Sequence, residues 1–123
     1  MATLETTARN AACDAVVDLI DGGAGAGLLV FRTAGDMEVA TLTFSDPALG
    51  AAAAGVATAS AITDDSSATG GTTTKATMQD SDANVVLTAT VGTSGQDINL
   101  SNNVIGAANI VQMSSLTVTM PAS

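Results

Sequence analysis

The feature that most restricts this chain is a change of hydrophobic period at a glycine-rich junction. Up to Asp21, apolar residues recur every three or four positions. Leu4, Ala8, Ala11, Ala12, Ala15, Val16, Leu19 and Ile20 would form one stripe of a helix spanning residues 3–21. Thr3 stands where an N-cap is expected, and Glu5 falls in the first turn, where the helix dipole favours a carboxylate. Gly22 and Gly23 end the helix. Asp14, Asp18 and Asp21 lie towards its C-terminal end, where the dipole disfavours them. They read as a solvated face or as a contact for a basic partner.

Beyond Gly27 the period falls to two. Alternating runs rich in Thr, Val and Ile cover residues 27–33, 38–44, 56–62, 74–79, 85–91, 96–100 and 110–120. Turn-forming clusters separate them, among them Ala34-Gly35-Asp36, Ser45-Asp46-Pro47 and Asp80 to Asn84. The pattern predicts a mainly β fold: an antiparallel β-sandwich or barrel of about seven strands, with the single N-terminal helix covering an open edge or end. A length of 123 residues suits one domain, with the helix at 3–21 and the β-sandwich at 27–120.

Within this frame, residues 41–62 link two strands through a side-chain-poor connection that includes Ala51 to Gly55. Small residues let backbones approach closely, either inside the domain or across a subunit boundary, and periodicity does not separate the two. Residues 63–73, TDDSSATGGTT, offer nothing to pack and read as an exposed loop, ordered if at all against a neighbour.

Apolar residues make up 46% of the chain, but many are alanine, and Phe31 and Phe44 are the two aromatics. A core of Val, Leu, Ile and Met follows, with modest stability and a need for support from partner subunits. The net charge is −9, and the three cations Arg9, Arg32 and Lys75 are scattered in sequence. Phosphate neutralisation needs clustered cations, so nucleic-acid binding is not expected. The acidic balance favours solubility and repels anionic membranes. The first ten residues lack a basic start and an apolar run, and no stretch is apolar enough to span a bilayer. The expectation is a soluble protein made in the cytoplasm.

No residue set carries recognisable chemistry. The chain has no histidine, which removes the commonest general base and metal ligand. Cys13 stands alone, without a base beside it, and reads as a small buried hydrophobe. Asp80, Asp82 and Asn84 have the spacing that opens a calcium loop, but Val85 stands where that loop needs Gly and Val91 where it needs Glu. A hairpin turn is the better reading. Asp64 and Asp65 form a carboxylate pair in polar surroundings that would keep both solvated. The glycines from Gly22 to Gly27 follow a helix and precede a strand, the reverse of the order in a phosphate-cradling loop, and read as a flexible connector. No catalytic, cofactor-binding or metal-binding residue is assigned, and an enzyme is not expected. A carbohydrate- or calcium-binding module would want exposed aromatics or a complete carboxylate cage.

Several segments together resemble a family of small virion structural proteins of tailed bacteriophages. They are TARNAACDAVVDLIDGGAGAG, ATLTFSDPALGAAAAGVATASAIT, DSDANVV, VGTSGQDINLSNNVI and SLTVTMPAS, in this order along most of the chain. FSDPALGAAAAGVATA and VGTSGQDINL carry the similarity best. The chain departs from those proteins at TTTKATMQD, where they often have extra residues and an aromatic strand. The resemblance implies a head-associated virion component. The expected role is a capsid decoration or cement protein, with the major capsid protein and copies of itself as partners, as in a trimer. A minor tail or neck protein is one alternative, and a small ligand-binding β-sandwich module is another.

Overall fold

The computed structural model describes residues 3–113 and 115–120. Residues 1–2, 114 and 121–123 of the predicted domain lie outside the described residues, Ser114 within the predicted final strand among them. The chain is mainly β, with one N-terminal helix, as its change of period predicts. Helix α1 covers Thr6–Asp18 and tightens into a 3-10 turn at Leu19–Asp21. Among the described residues, ten strands follow: β1 Leu28–Arg32, β2 Glu38–Phe44, β3 Val56–Thr58, β4 Ile62–Thr63, β5 Gly71–Thr72, β6 Lys75–Gln79, β7 Val85–Gly92, β8 Ile98–Asn99, β9 Val104–Ile105 and β10 Thr117–Thr119.

The main sheet has six strands in the order β4-β2-β1-β6-β7-β8. Two ribbons, β3–β10 and β5–β9, complete the described strands. Every pairing is antiparallel except β7–β8, which is parallel, a departure from the all-antiparallel expectation. Alternation sorts the side chains. Leu29 faces Leu42 and Met78 on its neighbours, and Phe31 faces Ala40 and Ala76. These six are buried with Phe44, Cys13, Val17 and Ile20 in one core. Setting Phe31 between Ala40 and Ala76 makes room for one of the two aromatics in this core.

The helix buries only part of the predicted stripe, Ile20 but not Leu4 or Leu19. Leu19 is 60% and Leu4 44% exposed, whereas Cys13, Val17 and Ile20 are buried, with Arg9, Asn10 and Asp14 half-buried beside them. The reason is what the helix packs on. Its neighbours are β3, β10 and the connection after β2, whose backbone donors need acceptors. Thr3 does not cap the helix; Glu5 occupies the N-cap without a side-chain hydrogen bond.

Two predicted strands are interrupted. Residues 56–62 split after Thr58, so that β3 pairs with β10 while β4 crosses to β2. Of the described residues within 110–120, Thr117–Thr119 forms a strand, and Val111 makes an isolated bridge to Asp65. The glycine connector is packed rather than free. A Cβ at Gly27 would lie 2.5 Å from Ile20 Cγ2 and 2.7 Å from the Gln79 carbonyl oxygen.

A candidate strand-docking edge

Aspartates position most of the irregular segments. Asp14 Oδ1 accepts from Ala52 N at 2.7 Å, Asp21 Oδ1 accepts from Ala48 N at 2.7 Å, and Asn10 Oδ1 accepts from Gly55 N at 2.8 Å. The helix therefore clasps residues 48–55 by their backbone. Gly55 has φ +78°, and a Cβ there would lie 2.6 Å from the Arg9 guanidinium. Arg9 Nε also donates to the Met120 carbonyl at 3.0 Å. For Ala52 and Gly55 the close approach is thus within the chain, while Ala51, Ala53 and Ala54 stay exposed. Asp14 and Asp21 are not the solvated face expected of them; Asp18 is exposed.

Residues 63–73 do pack, contrary to expectation. Ala68 and Thr73 are buried. Asp65 Oδ2 accepts from Thr41 N at 2.8 Å, and Gly70 N donates to the Val39 carbonyl at 3.0 Å. This loop closes the part of the β2 edge that β4 leaves bare. Asp65 is thus a hydrogen-bonded acceptor, whereas Asp64 is exposed and accepts from Gln112 Nε2 at 3.2 Å. The two carboxylates do different jobs and form no pair.

The Asp80–Asn84 segment is the predicted hairpin turn between β6 and β7. Asp80 Oδ1 accepts from Asp82 N and Asn84 N, both at 2.9 Å, and Oδ2 accepts from Asn84 Nδ2 at 3.0 Å. Hydrogen bonds from the Asn84 side chain and backbone hold the Asp80 carboxyl below the usual carboxylate range. Cys13 is fully buried, with Sγ 3.4 Å from the Val118 carbonyl oxygen. Among the described residues, no group of three or more His, Cys, Asp or Glu is placed to hold a metal ion.

The cations are all engaged. Arg32 lies along the sheet, donating from Nε to Thr77 Oγ1 at 3.1 Å and from Nη2 to Gln79 Oε1 at 3.3 Å. Lys75 Nζ pairs with Asp36 at 2.6 Å, and its hydrogen bond and charge lower the Asp36 pKa.

The opposite edge of the main sheet is different. Val91 N donates to the Thr74 carbonyl, and the β6–β7 register then directs the backbone of Ala89 and Leu87 at β6. Thr88, between them, directs its N–H and C=O away from the sheet. Strand β8 covers this edge only at Val91 and Gly92. Asp97 extends the cover by one residue, accepting from Thr90 N at 3.0 Å. Among the described residues, nothing pairs with the backbone of Thr88. Alongside runs an open groove of about 450 Å3, floored by Met78, Leu87 and Ala89 and walled by Ile98, Leu116 and Val118. Thr88 and Asp97 form part of its rim. No motif in the sequence marks these residues as a site.

Comparison with protein-family models, with curated proteins and with solved structures finds no match to this chain. No described helix is long and apolar enough to cross a membrane.

Proposed function

We propose that this chain is a structural protein of a tailed-bacteriophage virion, and specifically a capsid decoration or cement protein. Its partners would be the major capsid protein and further copies of itself, and its place the outer surface of the head. The observation that carries the proposal is the distribution of contact groups over several sides of the molecule. Exposed apolar side chains stand just before the helix (Leu4) and at its end (Leu19), on the β1–β2 turn (Met37) and around β9 (Val104, Ile110). The clasped loop adds the exposed alanines Ala51, Ala53 and Ala54. A molecule that ties several neighbours together needs contacts on more than one side. Each contact can be weak, because after the first is made the others act at high effective concentration. The ordered series of phage-like segments supports the same reading. In this role the chain supplies surface and no reaction.

Imaging of purified particles, with copy number from quantitative mass spectrometry, tests the proposal. Hundreds of copies on the head lattice are expected. A handful at the neck or tail would assign the chain to the tail instead, and absence from particles would end the virion reading.

A further inference from the structure

Strand β7 overhangs its short neighbour β8, and the uncovered length adjoins an apolar groove. We propose that the β7 edge around Thr88 accepts one extended segment of a partner chain as an added strand. The occupant has apolar side chains at alternate positions, which enter the groove, and lysine or arginine at its ends. This goes beyond the virion assignment and does not depend on it.

Three observations define the occupant. The outward N–H and C=O of Thr88 are the hydrogen-bonding groups that an added strand takes up. The chain uses the same edge itself, since β8 pairs with β7 at Val91 and Gly92, just beyond Thr88. An added strand would continue that row towards the Asp80–Asn84 turn. Side chains of a strand alternate between faces, so every second residue of the occupant would meet Leu87, Ile98, Leu116 and Val118.

Charge selects among occupants. Asp97 lies on the groove rim and is exposed, and exposed Asp82 sits in the turn that leads into β7. No cation lines the groove, and Arg9, Arg32 and Lys75 are held by other groups. A segment with cationic ends is attracted to such a rim, whereas a second copy of a chain with net charge −9 is repelled.

The test uses the intact chain and two synthetic heptapeptides. Both alternate valine and threonine through the middle; one ends in lysines and the other in glutamates. Amide hydrogen exchange and methyl shifts are read by NMR. The lysine-ended peptide should slow exchange at Thr88 by about tenfold or more at saturation and move the methyl signals of Leu87, Ile98 and Val118. The glutamate-ended peptide should bind about tenfold more weakly or worse at low salt. Thr88→Pro removes an outward N–H that has no partner in the fold, which edge strands tolerate, and should abolish binding with an unchanged circular dichroism spectrum. Should that variant fail to fold, the exchange map of the unaltered chain decides. Absence of protection at Thr88 with millimolar lysine-ended peptide overturns the proposal. Protection at Thr88 that rises with protein concentration alone identifies a second copy as the occupant, and overturns it equally.

Discussion

Removal of the Asp14 carboxylate tests whether the helix is anchored by polar clasps rather than by an apolar stripe. Asp14→Ala deletes the acceptor for Ala52 N, a 2.7 Å hydrogen bond in a half-buried setting. A hydrogen bond to a charged group contributes about 1.5–3 kcal/mol, because its loss leaves a donor poorly solvated. For this site about 2 kcal/mol is expected, since water can reach part of the loop. A domain of this length loses roughly 4 °C of Tm per kcal/mol, so a drop of about 8 °C should follow. The substitution also removes one negative charge from an acidic chain, which acts in the opposite direction. Asp18→Ala calibrates that effect, because Asp18 is exposed and its side chain accepts no hydrogen bond among the described residues. Asp14→Asn keeps an acceptor and should lose about half as much. The assay is urea unfolding with the slope held common, in parallel with thermal melts. Asp21→Ala should behave like Asp14→Ala, through Ala48 N. The double variant should lose less than the sum, because both carboxylates hold one loop and release of either end loosens the other. The reasoning fails if Asp14→Ala lies within about 0.5 kcal/mol of Asp18→Ala, the range of an ordinary surface change.

Gly27→Ala should destabilise by about 2 kcal/mol or more, because the new methyl meets Ile20 and the Gln79 carbonyl at 2.5–2.7 Å; thermal melts measure it. Acid should act through Asp80. Its carboxyl is depressed from 3.8 in the folded chain, so its stabilisation is complete well above that value and falls away as pH drops through it towards the folded pKa. Asp80→Asn should show a flatter decline of urea midpoint between pH 5 and pH 3, and an unchanged slope would refute the assignment. Cys13 is fully buried, so a thiol reagent should label it at the rate of local or global opening, with full labelling at once in denaturant. Rapid labelling of the native chain would contradict the helix packing.

The strands around Phe31, Leu42 and Met78 were legible in the sequence because turn clusters bound their β-prone runs, and their boundaries fall within a residue or two of prediction, although β1 and β6 are buried on both faces. The hairpin at Asp80 was legible from turn chemistry alone. The helix was legible as an element but not in its orientation. Hydrophobic periodicity assumes that a buried face is apolar, and here Asn10 and Asp14 face the backbone of the 48–55 loop. The strand breaks at Thr58 and before Thr117 were hidden for a related reason. Alternation persists through Ala59 to Ile62, yet hydrogen bonding passes from one sheet to another between them. The open edge at Thr88 had no signature of its own, because edge exposure depends on which strand lies next to which.

The acidic composition takes on a second meaning once these contacts are followed. From the sequence, the net charge of −9 reads as a solubility device. In the fold, Asp14, Asp21, Asp65, Asp80 and Asp97 each accept hydrogen bonds from backbone N–H groups of loops or of strand edges that no neighbouring strand pairs. A chain built of short strands has many backbone donors outside its ladders, and each must find an acceptor or remain wet. Aspartate is short enough to reach back to a nearby amide and strong enough as an acceptor to hold it. The same chain has few large side chains with which to fix its loops by packing. Carboxylate clasps therefore do locally what aromatic residues do in richer cores, and they leave Leu19, Met37 and Ile110 outside, where a neighbour can meet them.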